Sequence, residues 1–183
     1  MKRILIALAL LLAVQAADAQ VKSPEAAKKA VMAAEEAAQN PKKAVKVATW
    51  LKLATSYMDA YNAPAGNAWV GATKQELALL MAGQKPVSVE SVVIEGQPFQ
   101  KEIYADKEFY FNEAGQLLII NVTKPVVEDA LGKAVEAYKK AYEVDVKKSK
   151  VKDINTGLQT IAQKYLDEGM NSYTFGNLAE ASQ

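Results

Sequence analysis

Helix-breaking residues crowd into one stretch of this chain. Between Asn62 and Glu128 the sequence carries Pro64, Gly66, Gly71, Gly83, Pro86, Gly96, Pro98 and Gly115, whereas the segments on either side are rich in alanine and apolar at helical spacing. Proline removes a backbone donor and glycine weakens a helix interior, so the chain cannot form one continuous helical body. It reads as helices, then a segment of another kind, then helices again.

The first helix is announced by Ser23-Pro24-Glu25, a capping hydroxyl, a proline tolerated at the first helical position and an acid in the first turn, and it runs to about Gln39. Asn40-Pro41 repeats the logic and opens a second helix to about Tyr61, in which Val47, Trp50, Leu51, Ala54, Tyr57, Met58 and Tyr61 form one apolar stripe. Inside the breaker-rich stretch, Thr73 and Glu76 make a capping box for a short helix to about Ala82. Four β-prone runs follow: Val87 to Ile94, Phe99 to Tyr104, Phe109 to Phe111 and Gln116 to Val122, with Asn112-Glu113-Ala114-Gly115 as a turn. This spacing predicts an antiparallel meander of three or four strands. Helical character resumes from Val127 to about Val146, and after a lysine-rich link a third long segment runs from Asp153 to about Phe175. Gly176-Asn177 reads as a turn and Leu178 to Gln183 as the opening of a further helix.

The first nineteen residues stand apart. Lys2 and Arg3 precede an apolar run, Ile4 to Val14, and then Ala17-Asp18-Ala19, the layout of a cleavable export signal with the mature chain starting at Gln20. The run is too short for a membrane span of about 20 residues, so stable membrane insertion after cleavage is not expected. With no Cys in the chain, the leader is not of the acylated lipoprotein kind and no disulfide supports the fold. Cleavage removes the only Arg, leaving a mature chain with balanced charge and no Arg, His or Cys. Those absences argue against a Ser-His-Asp or Cys-His nucleophile, a nitrogen- or sulfur-ligated zinc and a bidentate clamp for phosphate or carboxylate, and balanced charge argues against nucleic acid as a partner.

Trp50, Leu53, Ala54 and Tyr57 stand at the W-x2-L-[GA]-x2-Y spacing of a first tetratricopeptide (TPR) helix, and Ala134, Tyr138 and Ala141 at the spacing of the second. The pattern resembles the tetratricopeptide-repeat family. Tyr57 and Ala134 are 77 positions apart where an uninterrupted repeat has about nine, so about 68 residues are inserted at the inter-helix turn. Ala27, Val31 and Ala34 resemble a preceding second helix, and Gly169, Tyr173, Gly176, Leu178 and Ala181 a following first helix and turn. As a whole the layout resembles exported tetratricopeptide proteins of Bacteroidetes-type bacteria whose first repeat is interrupted.

The resemblance implies a mainly α fold, an antiparallel helix-hairpin solenoid with a small β-meander inserted between the helices of one repeat. It divides the chain into a leader (1–19), N-terminal helices (20–61), a β-rich insertion (62–128) and further TPR-like helices ending as if truncated (129–183). It also implies a non-catalytic scaffold, without cofactor or metal, that binds a protein or peptide partner in the periplasm or outside the cell. The groove positions it points to are Leu51, Thr55, Met58 and Asp59.

On the insertion the candidate contacts are Trp69, Tyr104 and Tyr110. Strand alternation sends Tyr110 to the face opposite Phe109 and Phe111, toward solvent or a partner if those two pack inward. Trp69 sits in a glycine-flanked loop, either plugging the insertion onto the helices or serving as a contact. An alternative function is glycan binding, with Trp69, Tyr104 and Tyr110 as a stacking platform. The carboxylates Glu90, Glu95, Glu102, Asp106, Glu108 and Glu113 are numerous enough for a glycosidase pair, yet no spacing selects one, and a solvated face is the simpler reading. Oligomeric state is open.

Overall fold

The computed structural model describes residues 21–174 apart from 82 and 95. The leader, the turn at 176–177 and the helix expected after it lie outside the described residues.

α1 spans Pro24–Gln39, with the Ser23 hydroxyl accepting from the Ala26 N–H at 3.3 Å. The helix expected over 41–61 divides in two, α2 (Pro41–Ala44) and α3 (Val47–Asn62), with Lys46 extended between them. The break is held by side chains of α3 that take the carbonyls α2 would have used to continue. Thr49 Oγ1 donates to the Lys43 carbonyl at 2.8 Å and the Trp50 indole N–H to the Ala44 carbonyl at 2.7 Å. α4 (Lys74–Leu80) carries the expected capping box, Thr73 Oγ1 accepting from the Glu76 N–H while Glu76 accepts from the Thr73 N–H at 2.8 Å.

The architecture is mixed α/β: helices with a four-stranded antiparallel meander inserted between α4 and α5. The strands β1 (Ser88–Ile94), β2 (Gln97–Ile103), β3 (Lys107–Phe111) and β4 (Leu117–Val122) lie in sequence order, so β1 and β4 are the edges. The β3–β4 turn needs a left-handed residue, and Gly115 supplies it at φ 73°. Asn112 then closes the turn, its side chain accepting from the Gln116 N–H at 2.9 Å. A second glycine, Gly71 at φ 95°, lets the incoming loop turn alongside β4, where its N–H donates to the Leu117 carbonyl at 2.6 Å.

α5 (Ala130–Val144) starts at Asp129, a left-handed cap whose carboxylate accepts from the Gly132 N–H at 3.2 Å. α6 (Val151–Thr174) follows a link organised by the buried Asp145, whose carboxylate accepts the N–H groups of Ser149 at 3.1 Å and Lys150 at 2.7 Å. Burial alone would raise the Asp145 pKa, but these backbone donors outweigh it and hold the carboxyl below its usual range.

The core is divided. One cluster joins the helices, α1 packing on α3, α3 most extensively on α5, and α5 on α6. Leu53, Ala54, Tyr57, Ala134, Tyr138 and Ala141 all belong to it, as do Ala27, Val31 and Ala34. Tyr57 also donates to the Glu35 carboxylate at 2.6 Å, tying α3 to α1. Gly169, by contrast, faces open space, and the close helix approach falls at Gly157, against the Tyr138 ring. A second cluster, Phe109, Phe111, Leu117, Leu77, Met81 and Ala72, lies between one face of the sheet and α4. The other face carries Phe99, Tyr110 and Ile119.

Ser56 is fully buried in α3, and its hydroxyl has no partner among the described residues. An unpaired buried hydroxyl costs on the order of 1 kcal/mol, so Ser56→Ala should stabilise the protein by about that amount, seen as a higher denaturation midpoint at unchanged slope. A lower midpoint would mean that the hydroxyl is bonded.

Candidate functional site

Of the four helical groove positions, Met58 is buried in the helical core at 9 % exposure, because the stripe it belongs to faces α1 and α5, and it has little surface to offer a partner. Leu51 is half-buried against the same core. Thr55 is exposed, but its hydroxyl donates back to the carbonyls of Leu51 and Lys52, both at 3.0 Å. Asp59 is paired with Lys22 at 2.6 Å.

Tyr110 does lie opposite Phe109 and Phe111, as alternation requires, yet it does not face solvent. At 7 % exposure its ring is packed with Phe99 and Ile119, which give that side of the sheet an apolar cluster of its own. Tyr104 belongs to the other face, half-buried against Phe109 with ring centres 5.2 Å apart. Trp69 is on neither strand face but in the loop after α3, 46 % exposed. The three aromatics therefore do not assemble into a stacking platform.

Trp69 instead lines a groove of about 1140 Å³ that no local stretch of sequence announces. One wall is the end of α3 and the loop from Asn62 to Val70, the second is the far end of β4 at Ile120, Asn121 and Val122, the third is the second half of α6 from Lys164 to Ser172, and the segment from Pro125 to Leu131 at the start of α5 completes the lining. Val70 and Tyr165 line the same groove and expose surface there, 52 % and 46 % accessible. The polar rim is mainly acidic, Asp129, Asp167 and Glu168 against Lys164, whose ammonium sits 5.9 Å from the Tyr61 ring centre. Burial, reinforced by the charge and hydrogen bond of Glu168 and by the charge of Asp167, pushes the Tyr61 phenol well above its ordinary pKa. Tyr165 is raised by burial and by the charges of Asp129 and Glu168. Both phenols therefore stay protonated at physiological pH and keep their O–H donors.

Beneath Asn121 lies a polar network on the sheet. Glu108 accepts from Lys101 at 2.7 Å, from the Tyr110 hydroxyl at 2.8 Å and from the Asn121 side chain at 3.0 Å. Burial opposes the charge, but the hydrogen bonds from Lys101, Asn121 and Tyr110 prevail, and the Glu108 pKa is lowered. A general acid needs the opposite shift. Glu102 is likewise paired with Lys74 at 2.8 Å and Asp106 with Lys107 at 3.1 Å, so these insertion carboxylates are engaged by lysines rather than facing one another. Among the described residues no three His, Cys, Asp or Glu side chains gather as a metal ion would require, and no helix is long and apolar enough to cross a membrane.

The sign of the Glu108 shift fixes a pH dependence. A carboxyl whose folded pKa is depressed adds stability above its unfolded value near 4.3, and that stability is lost as pH falls through the folded value. Glu108→Gln should cost about 1–3 kcal/mol at pH 7, and the gap from the parent protein should close on acidification below about pH 4. Denaturant titrations at the two pH values check this, and a gap that stays constant would contradict it.

In comparisons with known proteins the chain matches no family model, no curated protein and no solved structure.

Proposed function

We propose that this protein is a non-catalytic interaction module of the bacterial cell envelope, exported by its leader, that holds a protein or peptide partner in the groove between α3, β4 and α6. The observation that carries this reading is Trp69, half exposed on a groove that exposed Val70 and Tyr165 also line, with a mostly acidic rim. An aromatic anchor within apolar surface, ringed by polar groups, is the arrangement that carries binding energy at protein interfaces. Binding of this kind asks for shape and a few anchors, with no reactive group and no cofactor.

The long helices are proposed to stack in the tetratricopeptide manner. Supporting this, each packs on the next in the order α1, α3, α5, α6, and the small residues Ala54, Ala134 and Ala141 are fully buried in the shared core. In this arrangement the β-rich insertion is a second wall for the partner rather than a separate device.

The test is site-directed photo-crosslinking in intact cells, with a photoreactive residue at Val70 or, for comparison, at Thr55 on α3. The expected result is one defined adduct from Val70, lost in a Trp69→Ala background, and none from Thr55. Removing a central Trp anchor typically costs 2 kcal/mol or more of binding energy, enough to abolish the adduct at cellular concentrations. Adducts from Thr55 alone would move the site to the exposed face of α3, and none from either position would end the interaction reading.

A further inference from the structure

β4 is an edge strand whose outer side is only partly paired. At its start the loop from α3 acts as a short extra strand: Gly71 donates to the Leu117 carbonyl at 2.6 Å, Leu117 donates to the Ala72 carbonyl at 2.8 Å, and Thr73 bridges Gln116 antiparallel. Before Gly71 the loop turns away, the Ala72 N–H bonding the Trp69 carbonyl at 3.1 Å. The rest of the edge is left without that cover.

The backbone direction along the uncovered half follows from the ladder. Thr123 donates to the Asp106 carbonyl at 2.9 Å, and the Lys107 carbonyl accepts from Tyr104 on the β2 side at 2.8 Å. Lys107 and Val122 are therefore a pair whose N–H and C=O groups point away from each other, and the same holds two residues on for Phe109 and Ile120. Val122 and Ile120 thus aim their backbone groups outward from the sheet. Both residues line the groove, and their outward groups have no hydrogen-bond partner among the described residues.

An open strand edge is a template for one kind of ligand, another extended chain. Resting on the groove reading above, we infer that the groove takes an extended peptide of a partner protein, bound as an added strand along β4 at Ile120 and Val122, with apolar side chains against Trp69 and Tyr165. The covering loop stops where the site begins, so the peptide occupies the line that Gly71, Ala72 and Thr73 start. The free length from Leu118 to Val122 is about 13 Å at the usual rise of a strand, room for about four to six residues. With Asp129, Asp167 and Glu168 facing Lys164 alone on the rim, charge complementarity selects a peptide carrying Lys or Arg between its apolar residues.

The test uses the full chain and a synthetic probe, the capped hexapeptide Lys-Val-Lys-Val-Lys-Val, with two variants N-methylated on alternate amides, the lysine set or the valine set. Backbone pairing has a two-residue period, so methylating one set should weaken binding at least about tenfold and the other less than about twofold. The amide protons of Ile120 and Val122 should exchange freely in the protein alone and become protected with the probe. Val122→Pro, which removes an outward donor on an edge strand while sparing the pairing with β3, should weaken the probe about tenfold. Replacing the probe's lysines with Glu should weaken it by a similar factor.

Equal tolerance of both methylated sets, with Trp69→Ala still abolishing binding, overturns strand addition while leaving the groove as a partner site. No binding at millimolar probe also overturns it. Protection of Ile120 and Val122 in the dilute protein alone would show that a segment of the same chain already occupies the edge. Protection that grows with protein concentration would assign it to a second copy, and either result overturns the proposal. Should Val122→Pro fail to fold, the methylation pattern decides alone.

Discussion

Gly157→Val should lower the melting temperature by about 5–10 °C, and even Gly157→Ala should destabilise, although alanine is the better helix former by about 1 kcal/mol. Gly157 lies within α6, and a Cβ there would overlap the ring carbons and hydroxyl of Tyr138 on α5. Tyr138 is itself buried, 5 % exposed and packed in the same core as Ile154 and Ile161. Burial also pushes its phenol pKa upward, as expected of a ring removed from water. Overpacking of this kind costs typically 1–3 kcal/mol, more for a branched side chain that must separate the helices. The decisive measurement is a double-mutant cycle in which Gly157→Ala is repeated on Tyr138→Leu. With the ring gone the clash is relieved and the helix propensity of alanine is released, so the same substitution should turn from destabilising to neutral or stabilising. Destabilisation of equal size in both backgrounds would mean that Gly157 is not held by the ring.

That contact also shows what sequence reading reaches and what it does not. In the sequence Gly157 is an isolated glycine in a helical segment, a small local cost, and only the position of Tyr138 across the helix pair turns it into a requirement. Local signals carry well: Ser23 and Thr73 cap as their spacing demands, and the turn at Asn112 to Gly115 joins β3 to β4 where the glycine places it. The break between α2 and α3 was not legible, because it is held by Thr49 and Trp50 reaching back to carbonyls six residues earlier. Alternation assigns Tyr110 to its face correctly but says nothing of what else that face carries, and Phe99 and Ile119 bury it. The groove is the extreme case. Its walls come from the loop near Trp69, from β4 and from α6, segments separated by tens of residues, so no motif or period could gather them.

The division of the core into helical and sheet clusters leads to the second large effect. Phe109 is fully buried at the centre of the sheet cluster, edge-on to Phe111 with ring centres 6.4 Å apart and tilted against Tyr104. Phe109→Ala removes a large side chain from a site walled by Leu77, Met81 and Leu117, and such truncations cost about 3–5 kcal/mol. The cluster has few buried members and shares none with the helical core, so little surrounds the cavity that could share the loss. The insertion should therefore melt first. Thermal unfolding of the variant should show two steps, the amide resonances of β1 to β4 disappearing at a lower temperature than those of α1, α3, α5 and α6, whereas in the parent protein the two sets disappear closer together. If the groove holds a partner as proposed, binding should be lost with the first step, since β4 and the loop bearing Trp69 form two of its walls. A single coincident transition in the variant would show instead that helices and sheet stand or fall as one cooperative unit. The β insertion would then contribute to the stability of the packed helices.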